Sequence, residues 1–555
     1  MTRLFKTSNI RKIEELDGLW DFYIPDLDKA DKMPVPACWE THPEYSTFRG
    51  MAVYTRKINV TTNTNLRLVF KGVSHTATVY FDGKIVAEHY NAYTPFEAVV
   101  PNVQPGEHEI MVEVDNSFNE ESSLHMPNDY YTYGGIVRPV VMEYLPNTYI
   151  ERVAFTPKFC NGFWQAHIKV HVRNISNETK EWLLSGSIGE KRFEFGEKTF
   201  SNFAVFESTF DMPHVKNWSP EDPNLYMLNI TLSYHHILYV TDDLNDRVGF
   251  REVSVRGEKI LLNGKEIFIK GFNRHEDHPF FGMSLDLRAM VTDIALIKDM
   301  NANTVRTSHY PNDELFLDLC DENGLMVWEE NHARGLDEEK MRNPNFDKQC
   351  FDCIDEMVKN HYNHPSIIIW GVLNECASNT VFGRECYERQ IKQIRNMDDS
   401  RPVTFASHHK ESDICLDLVD IVSWNLYYGW YENIPSSEGL EKILEYTNAN
   451  NGNRKPVIIS EFGAGGIPGY RDRRNVKWSE ERQREILSEN LKTYLNHERI
   501  SGAIVWQFCD CLVTEEEWFM QRPRTKNNKG IVDQNRQPKL AYHTVKELFG
   551  NKFTS

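Results

Sequence analysis

At 555 residues the chain exceeds what one hydrophobic core serves and suits several domains of about 150 residues each. Hydrophobic residues at 40% and charged residues at 26%, with no low-complexity tract, exclude a disordered or fibrous protein. The formal charge of -19 is spread along the sequence and excludes a nucleic-acid binder, since no basic run is longer than Arg471 to Arg474. An anionic substrate would meet the same unfavourable mean field and would have to be held by local cations.

Met1 to Asp17 carries distributed charges and no apolar stretch long enough for a signal-peptide core. Nothing further along approaches the ~18 apolar residues of a membrane span, so a soluble, cytoplasmic protein with no membrane partner is expected. From Gly18 to Tyr144 short β-rich runs alternate with turn signals: Val53 to Ile58, Leu66 to Phe70, Ala77 to Phe81 and Ile110 to Val114, with Asp82-Gly83 as a hairpin turn. These predict a β jelly-roll sandwich over residues 1–145. The pattern continues in Gln165 to Val172, Trp182 to Ile188 and Leu225 to Tyr234, which predicts an immunoglobulin-like β-sandwich over 146–250.

Near Arg251 strand-like runs begin to alternate with amphipathic helical segments, among them Leu287 to Asp299, Asn312 to Glu322, Phe346 to Asn360, Phe382 to Arg395 and Ser479 to Asn496. The intervening strands are expected at Glu266 to Gly271, Thr304 to Thr307, Met326 to Glu329, Ile367 to Gly371, Ile421 to Trp424, Val457 to Ser460 and Ala503 to Gln507. Repeated βα units over 251–555 predict a (β/α)8 TIM barrel. A doubly wound sheet is disfavoured because no glycine-rich phosphate loop follows the first strand. Ten cysteines are scattered, and the close pairs Cys350/Cys353 and Cys509/Cys511 lack the second pair of a zinc site, so reduced thiols and no metal are expected.

Barrel enzymes place reactive groups at the C-terminal ends of strands. Two such ends carry carboxyls: Ile367 to Gly371 leads into Asn374-Glu375, and Val457 to Ser460 into Glu461, with Gly463 two residues on. Retaining glycosidases need two carboxyls about 5 Å apart, one to protonate the leaving oxygen and one to attack the anomeric carbon. Glu375 and Glu461 meet the chemical requirement. Asn374, beside the acid, suits a sugar 2-hydroxyl contact that strengthens in the transition state. The 12% of aromatic residues, with 24 Tyr and 12 Trp, is compatible with sugar-stacking surfaces.

An ordered series of motifs, Asn273-Arg274-His275-Glu276-Asp277-His278-Pro279, Arg306-Thr307-Ser308-His309-Tyr310-Pro311, His364-Pro365-Ser366, Asn374-Glu375 and Ser460-Glu461-Phe462-Gly463, resembles that of glycoside hydrolase family 2. Val248-Gly249-Phe250-Arg251 resembles the usual entry to that family's barrel, and the resemblance spans essentially the whole chain. It implies Glu375 as acid/base, Glu461 as nucleophile, no cofactor, and self-association into a homo-oligomer. Within the family, three segments resemble those of β-glucuronidases.

Trp424 to Tyr431 is similar to an aromatic loop whose Asn425 and Tyr431 touch substrate, with Tyr427 beside the nucleophile. Asn527-Asn528-Lys529-Gly530 is similar to an Asn-x-Lys motif in which Asn527 and Lys529 hold the sugar carboxylate, the local counter-charge that the mean field demands. Asp129 to Arg138 resembles a segment through which the first β domain sends Asp129 into the active site to orient hydroxyls. Trp506 matches a tryptophan lining the sugar site, while His275, Arg306 and His309 are expected to support it.

Two departures stand out. The connection between Glu329 and His361 is short, which implies an open entrance, and the position four residues before the Asn-x-Lys motif is Pro523, flanked by Arg522 and Arg524, where some relatives have arginine. The expected activity is retaining, exo-acting hydrolysis of β-D-glucuronides, as a small-molecule conjugate or a glucuronate-ended oligosaccharide. The alternatives are a β-galacturonidase, a β-galactosidase, or a carbohydrate-binding protein without turnover.

Overall fold

A computed structural model describes residues 2–234 and 239–551, leaving Met1, 235–238 and 552–555 of the expected domain ranges outside the description. The first β domain is two antiparallel sheets of four and six strands face to face. The strand Met51–Val60 shows the cause, since Ala52, Tyr54, Ile58 and Val60 turn inward between exposed or half-buried neighbours. With Trp20, Phe22, Leu66, Leu68, Val79 and Val112 they fill one apolar core. The hairpin at Asp82-Gly83 joins Thr76–Phe81 to Lys84–Tyr90, and both turn residues have positive φ, 49° and 73°, which matches the right-handed twist of the strands.

The second domain packs a three-stranded sheet on a four-stranded one. Its strand Phe163–Asn174 alternates strictly, burying Trp164, Ala166, Ile168, Val170 and Val172 against Leu228, Ile230 and Leu232. A small three-stranded sheet, Val253–Arg256, Lys259–Leu262 and Lys265–Ile267, then closes the bottom of the barrel.

The barrel strands are β1 (Ile269–Asn273), β2 (Thr304–Thr307), β3 (Met326–Glu330), β4 (Ile367–Gly371), β5 (Val403–Thr404 and Ala406–Ser407), β6 (Val422–Asn425), β7 (Val457–Phe462) and β8 (Ile500–Val505). All neighbouring pairs are parallel, and the two end segments of the sheet order, 403–404 and 406–407, flank Phe405 in one strand, so the sheet closes on itself. Most barrel strands are buried on both faces, which is why they read as unbroken apolar runs rather than alternating ones. Several of the helices begin at side-chain caps: Asp286 accepts from Ala289 N, Asp313 from Leu315 N, Thr380 from Gly383 N and Ser479 from Arg482 N.

Two expected strands are corrected. The run Glu266 to Gly271 is split: Lys265–Ile267 pairs antiparallel in the floor sheet, and β1 starts only at Ile269. The last strand runs Ile500–Val505 rather than Ala503 to Gln507, because Ser501 and Gly502 dilute the apolar signal at its start. Gly502 is required there, since a Cβ would lie 2.7 Å from Ile269 Cβ.

Candidate active site

The C-terminal ends of the barrel strands converge on a cavity of about 320 Å³. After β4 the chain turns sharply: Asn374 N donates to Ala333 O, Glu375 N donates to Ala406 O, and Glu375 takes the left-handed conformation at φ 52°. A non-glycine residue held there costs roughly 1–3 kcal/mol and persists when its surroundings over-determine it. Here the turn aims the carboxyl at Asn425, whose Nδ2 donates to Glu375 Oε1 at 2.9 Å. Glu461 closes β7 from the opposite side, and the strand can press against the end of β8 because residue 463 is glycine: a Cβ would meet Trp506 O at 2.1 Å.

A buried cation ties Glu461 to Asn374, the neighbour of Glu375. Arg306, at the end of β2, donates from Nη1 to Glu461 Oε1 at 2.9 Å and from Nη2 to Asn374 Oδ1 at 2.8 Å. Glu330 at the end of β3 balances it with a bidentate pair at 2.8 and 2.9 Å. His309 contacts Glu330 Oε1 through Nδ1 at 2.9 Å, lies 3.9 Å from Glu461, and stacks on Trp506 with centroids 4.9 Å apart. His275 meets Trp506 edge-on at 5.3 Å. Tyr427 OH donates to the other Glu461 oxygen at 2.8 Å. Asn374 Nδ2, behind the lining residues, is a buried donor with no hydrogen-bond partner among the described residues.

Burial, followed by the charge of Glu375, pushes Glu461 up to about 7, against the pull of Arg306 and Tyr427. Burial acts the same way on Glu375, but Arg334, then His408 and the Asn425 hydrogen bond, overcome it and hold Glu375 below the usual carboxylate range. Two buried carboxyls linked in this way titrate as a unit. The negative charge of the pair is thereby drawn toward Glu375 by Arg334 Nη2, 3.5 Å away. Burial keeps His275 neutral, down to about 3, and His309 well below its usual value.

The rest of the wall comes from other parts of the chain. Asp129, delivered by the first β domain, receives Arg522 Nε on Oδ1 at 2.9 Å and Arg522 Nη2 on Oδ2, and Asn527 Nδ2 donates to that same Oδ2 at 3.0 Å. The segment behind Asp129 is clamped to the barrel. Tyr130 stacks on His275 at 4.7 Å, Tyr133 OH donates to Asp277 at 3.1 Å, and Arg138 pairs with Glu276 at 2.8 Å. Lys529 Nζ donates to Tyr431 OH at 2.9 Å and Arg522 Nη2 donates to the same hydroxyl at 3.2 Å. Burial lowers Lys529 from its ordinary value, and its Tyr431 contact partly restores it. Two cations thus converge on one phenolic oxygen inside the cavity.

Of the residues singled out in the sequence, Glu375, Glu461, Asp129, Asn425, Tyr427, Tyr431, Trp506 and Lys529 line the cavity directly. Asn374, Asn527, Arg306, His275 and His309 are buried against the lining residues, with the contacts described above. Arg522 enters the cavity, whereas Arg524 is exposed on the loop outside it. Sequence reasoning passed over Arg334, His408, Lys410, Glu432 and Trp518, which also line the wall, and Glu330, which balances Arg306. Five of these six sit in the loops or turns that follow barrel strands, so position was the signal that could have found them.

Paired carboxyls at the mouth of a barrel, beside a buried arginine, aromatic walls and a sugar-sized cavity, define a glycoside hydrolase. Family models agree along the chain: the TIM barrel domain of glycosyl hydrolases family 2 matches residues 253–553, a glycosyl hydrolases family 2 model matches 148–251, and the family's sugar binding domain matches 13–146. The protein belongs to glycosyl hydrolases family 2.

It is 28% identical to a β-glucuronidase of Streptococcus agalactiae over 97% of this chain and 96% of that one. It is 47% identical to a β-galacturonidase of Eisenbergiella tayi solved with galacturonate, with a TM-score of 0.96 and full coverage of both chains. A Ruminococcus gnavus β-glucuronidase in complex with D-glucuronic acid is 25% identical at a TM-score of 0.86, covering 99% of each chain. Among the described residues no helix is long and apolar enough to cross a membrane.

Proposed function

We propose that this protein is a retaining, exo-acting β-uronidase that hydrolyses β-D-glucuronides to D-glucuronate and an alcohol. The observation that carries the reading is the buried Lys529 ammonium, which donates to Tyr431 OH beside Arg522: Arg522 is already paired with Asp129, and a neutral sugar would leave Lys529 without an anionic partner. The sugar carboxylate takes that place, with Asn527 bracing Asp129 and the lysine loop. Asp129, Asn374 and Asn425 orient the hydroxyls.

Glu461 attacks C1 while Glu375 gives its proton to the departing glycosidic oxygen. Water then enters, loses a proton to Glu375 and attacks C1, which frees Glu461 and releases the β-configured acid. The charge ordering of the free pair must invert for this chemistry. Positive charge developing at C1 favours ionised Glu461, already held by Arg306 and Tyr427, and the shared proton moves to Glu375 beside the leaving oxygen. The domain spans accompanying this reading are 1–145, 146–250 and 251–555, with the barrel carrying the chemistry and the first domain supplying Asp129.

A second reading, hydrolysis of β-D-galacturonides, is favoured by the 47% identity to a structure solved with galacturonate. The two acids differ only at C4, so one experiment addresses both. Initial rates are measured on p-nitrophenyl β-glucuronide, β-galacturonide and β-galactoside with the wild type and Lys529→Ala. Uronide turnover that collapses in the variant supports the reading; galactoside preference indifferent to Lys529 refutes it. We also propose a cytoplasmic location and homo-oligomeric state, testable by cell fractionation and light scattering.

A further inference from the structure

We propose that Glu330 is a positioning residue for the nucleophile: by taking up the charge of the buried Arg306, it leaves Glu461 electron-rich enough to bond to C1. The inference rests on the retaining two-carboxyl reading and deepens it, whatever the sugar. Arg306 is wholly buried, and each of its five N–H groups is accounted for. Nε and one Nη2 hydrogen go to Glu330, and the other Nη2 hydrogen goes to Asn374 Oδ1. The two on Nη1 go to Glu461 Oε1 at 2.9 Å and to Asn273 Oδ1 at 2.8 Å. Two charge-assisted bonds thus bind the guanidinium to Glu330, and one binds it to Glu461.

His309 Nδ1 lies 3.4 Å from Arg306 Nη2, which has no hydrogen left to give it. The proton of that contact sits on Nδ1 itself, which donates to Glu330 Oε1 at 2.9 Å. With three N–H groups on its two oxygens, Glu330 is held ionised against burial, which pushes it up from its ordinary value. The pair is built into the barrel. Trp328, on the same strand as Glu330, faces the Arg306 guanidinium at 4.8 Å, and Gly371 at the end of β4 makes the room, since a Cβ there would meet Glu330 Cβ at 2.6 Å.

Glu330 acts on Glu461 through Arg306. An uncancelled guanidinium at hydrogen-bond distance would stabilise the carboxylate of Glu461 and blunt its attack on C1. Cancelling that charge keeps the hydrogen bond, which orients the attacking oxygen, and spares its reactivity. Facing Arg306 and Glu461 from the other elements are His275 after β1, His309 after β2, Arg334 after β3, Glu375 after β4 and Tyr427 after β6. Burial keeps both histidines neutral, Arg334 is paired with Glu375, and Tyr427 donates a hydrogen bond, which leaves Glu330 as the group that offsets Arg306.

The test uses the 2,4-dinitrophenyl 2-deoxy-2-fluoro-β-glycoside of whichever sugar the wild type turns over. A Glu461 oxygen bonds to C1 as dinitrophenolate leaves, and the slow second step, in which water bonds to C1, gives its proton to Glu375 and frees Glu461, is timed separately. Dinitrophenolate departs without a proton, so the acid limb of the inactivation rate reads the ionisation of Glu461. In Glu330→Gln that limb should fall by about 1 pH unit. On the plateau inactivation should slow and reactivation should quicken, each roughly threefold for a Brønsted slope of about one half, because a less basic carboxylate attacks worse and leaves better. Glu330→Asp, which keeps the charge, should hold the limb of the wild type.

A limb that stays in place, or two rates that fall together as in a merely damaged site, overturns the proposal. Glu330→Gln leaves a buried cation short of a partner and can fail to fold, so Arg306→Gln/Glu330→Gln is measured beside it. With both charges gone the limb should return to the wild-type position or rise above it, and a limb below that of the wild type overturns the proposal. Turnover of the galactoside and of no uronide refutes the uronidase reading by itself, while the galactosyl reagent still decides the role of Glu330.

Discussion

Replacing Arg334 by methionine tests the electrostatic account of the carboxyl pair. Arg334 Nη2 stands 3.5 Å from Glu375 Oε2, a separation at which unit charges interact by about 1 kcal/mol in water and about 5 kcal/mol at an effective dielectric constant of ~20. The two side chains retain 18% and 15% exposure, so solvent screening discounts the upper figure, and about 1–2 pH units are at stake. Glu375 must be protonated to assist departure of the leaving group. Its carboxyl is held low by Arg334, so removing the cation raises it, and activity survives to higher pH.

The basic limb of the kcat/KM profile, measured across roughly pH 4 to 9 on the preferred nitrophenyl uronide, should move upward by that amount. Arg334 Nη1 also donates to Asn128 Oδ1 at 2.9 Å, so a melting curve should accompany the profile. A folded variant whose basic limb stays in place, or moves down, refutes the coupling.

Lys529→Ala should lower uronide kcat/KM by about 10- to 100-fold, the worth of a buried charge-assisted contact, and initial rates on uronide and galactoside together read it. Glu461→Gln should abolish turnover and the burst of nitrophenol that precedes steady state. Glu375→Gln should cost about 10²- to 10⁴-fold on a disaccharide and distinctly less on nitrophenolate, which departs without a proton. Asp129→Ala leaves the Arg522 guanidinium buried and unpaired and should destabilise the fold by about 3–5 kcal/mol, visible in denaturant unfolding, with Asp129→Asn recovering part of the loss.

The strands carrying Glu375 and Glu461 were legible because a barrel strand is buried on both faces and reads as a continuous apolar run ending in polar residues. The fifth strand was not, since it is two dipeptides around Phe405 with no run to detect. Lys265–Ile267 and β1 merged into one expected strand because nothing in their composition records that the pairing changes from antiparallel to parallel between them.

The same limit applies at the site. Glu375, Glu461 and Lys529 stand in ordered motifs, whereas His408, Lys410 and Glu432 acquire meaning only from loops that meet in space. Arg522 was visible beside Pro523, but its choice between Asp129 and solvent depended on a segment 393 residues earlier in the chain.

That separation sets the order in which this enzyme can come into being. At about 5–20 residues per second, a ribosome that has made Asp129 works for roughly 20–80 s more before Arg522 exists to receive it. Through that interval the first β domain can fold around its own core, but its acidic finger has nothing to grip. Activity should therefore appear only in chains synthesised almost to their last helix, as one late event rather than a gradual gain.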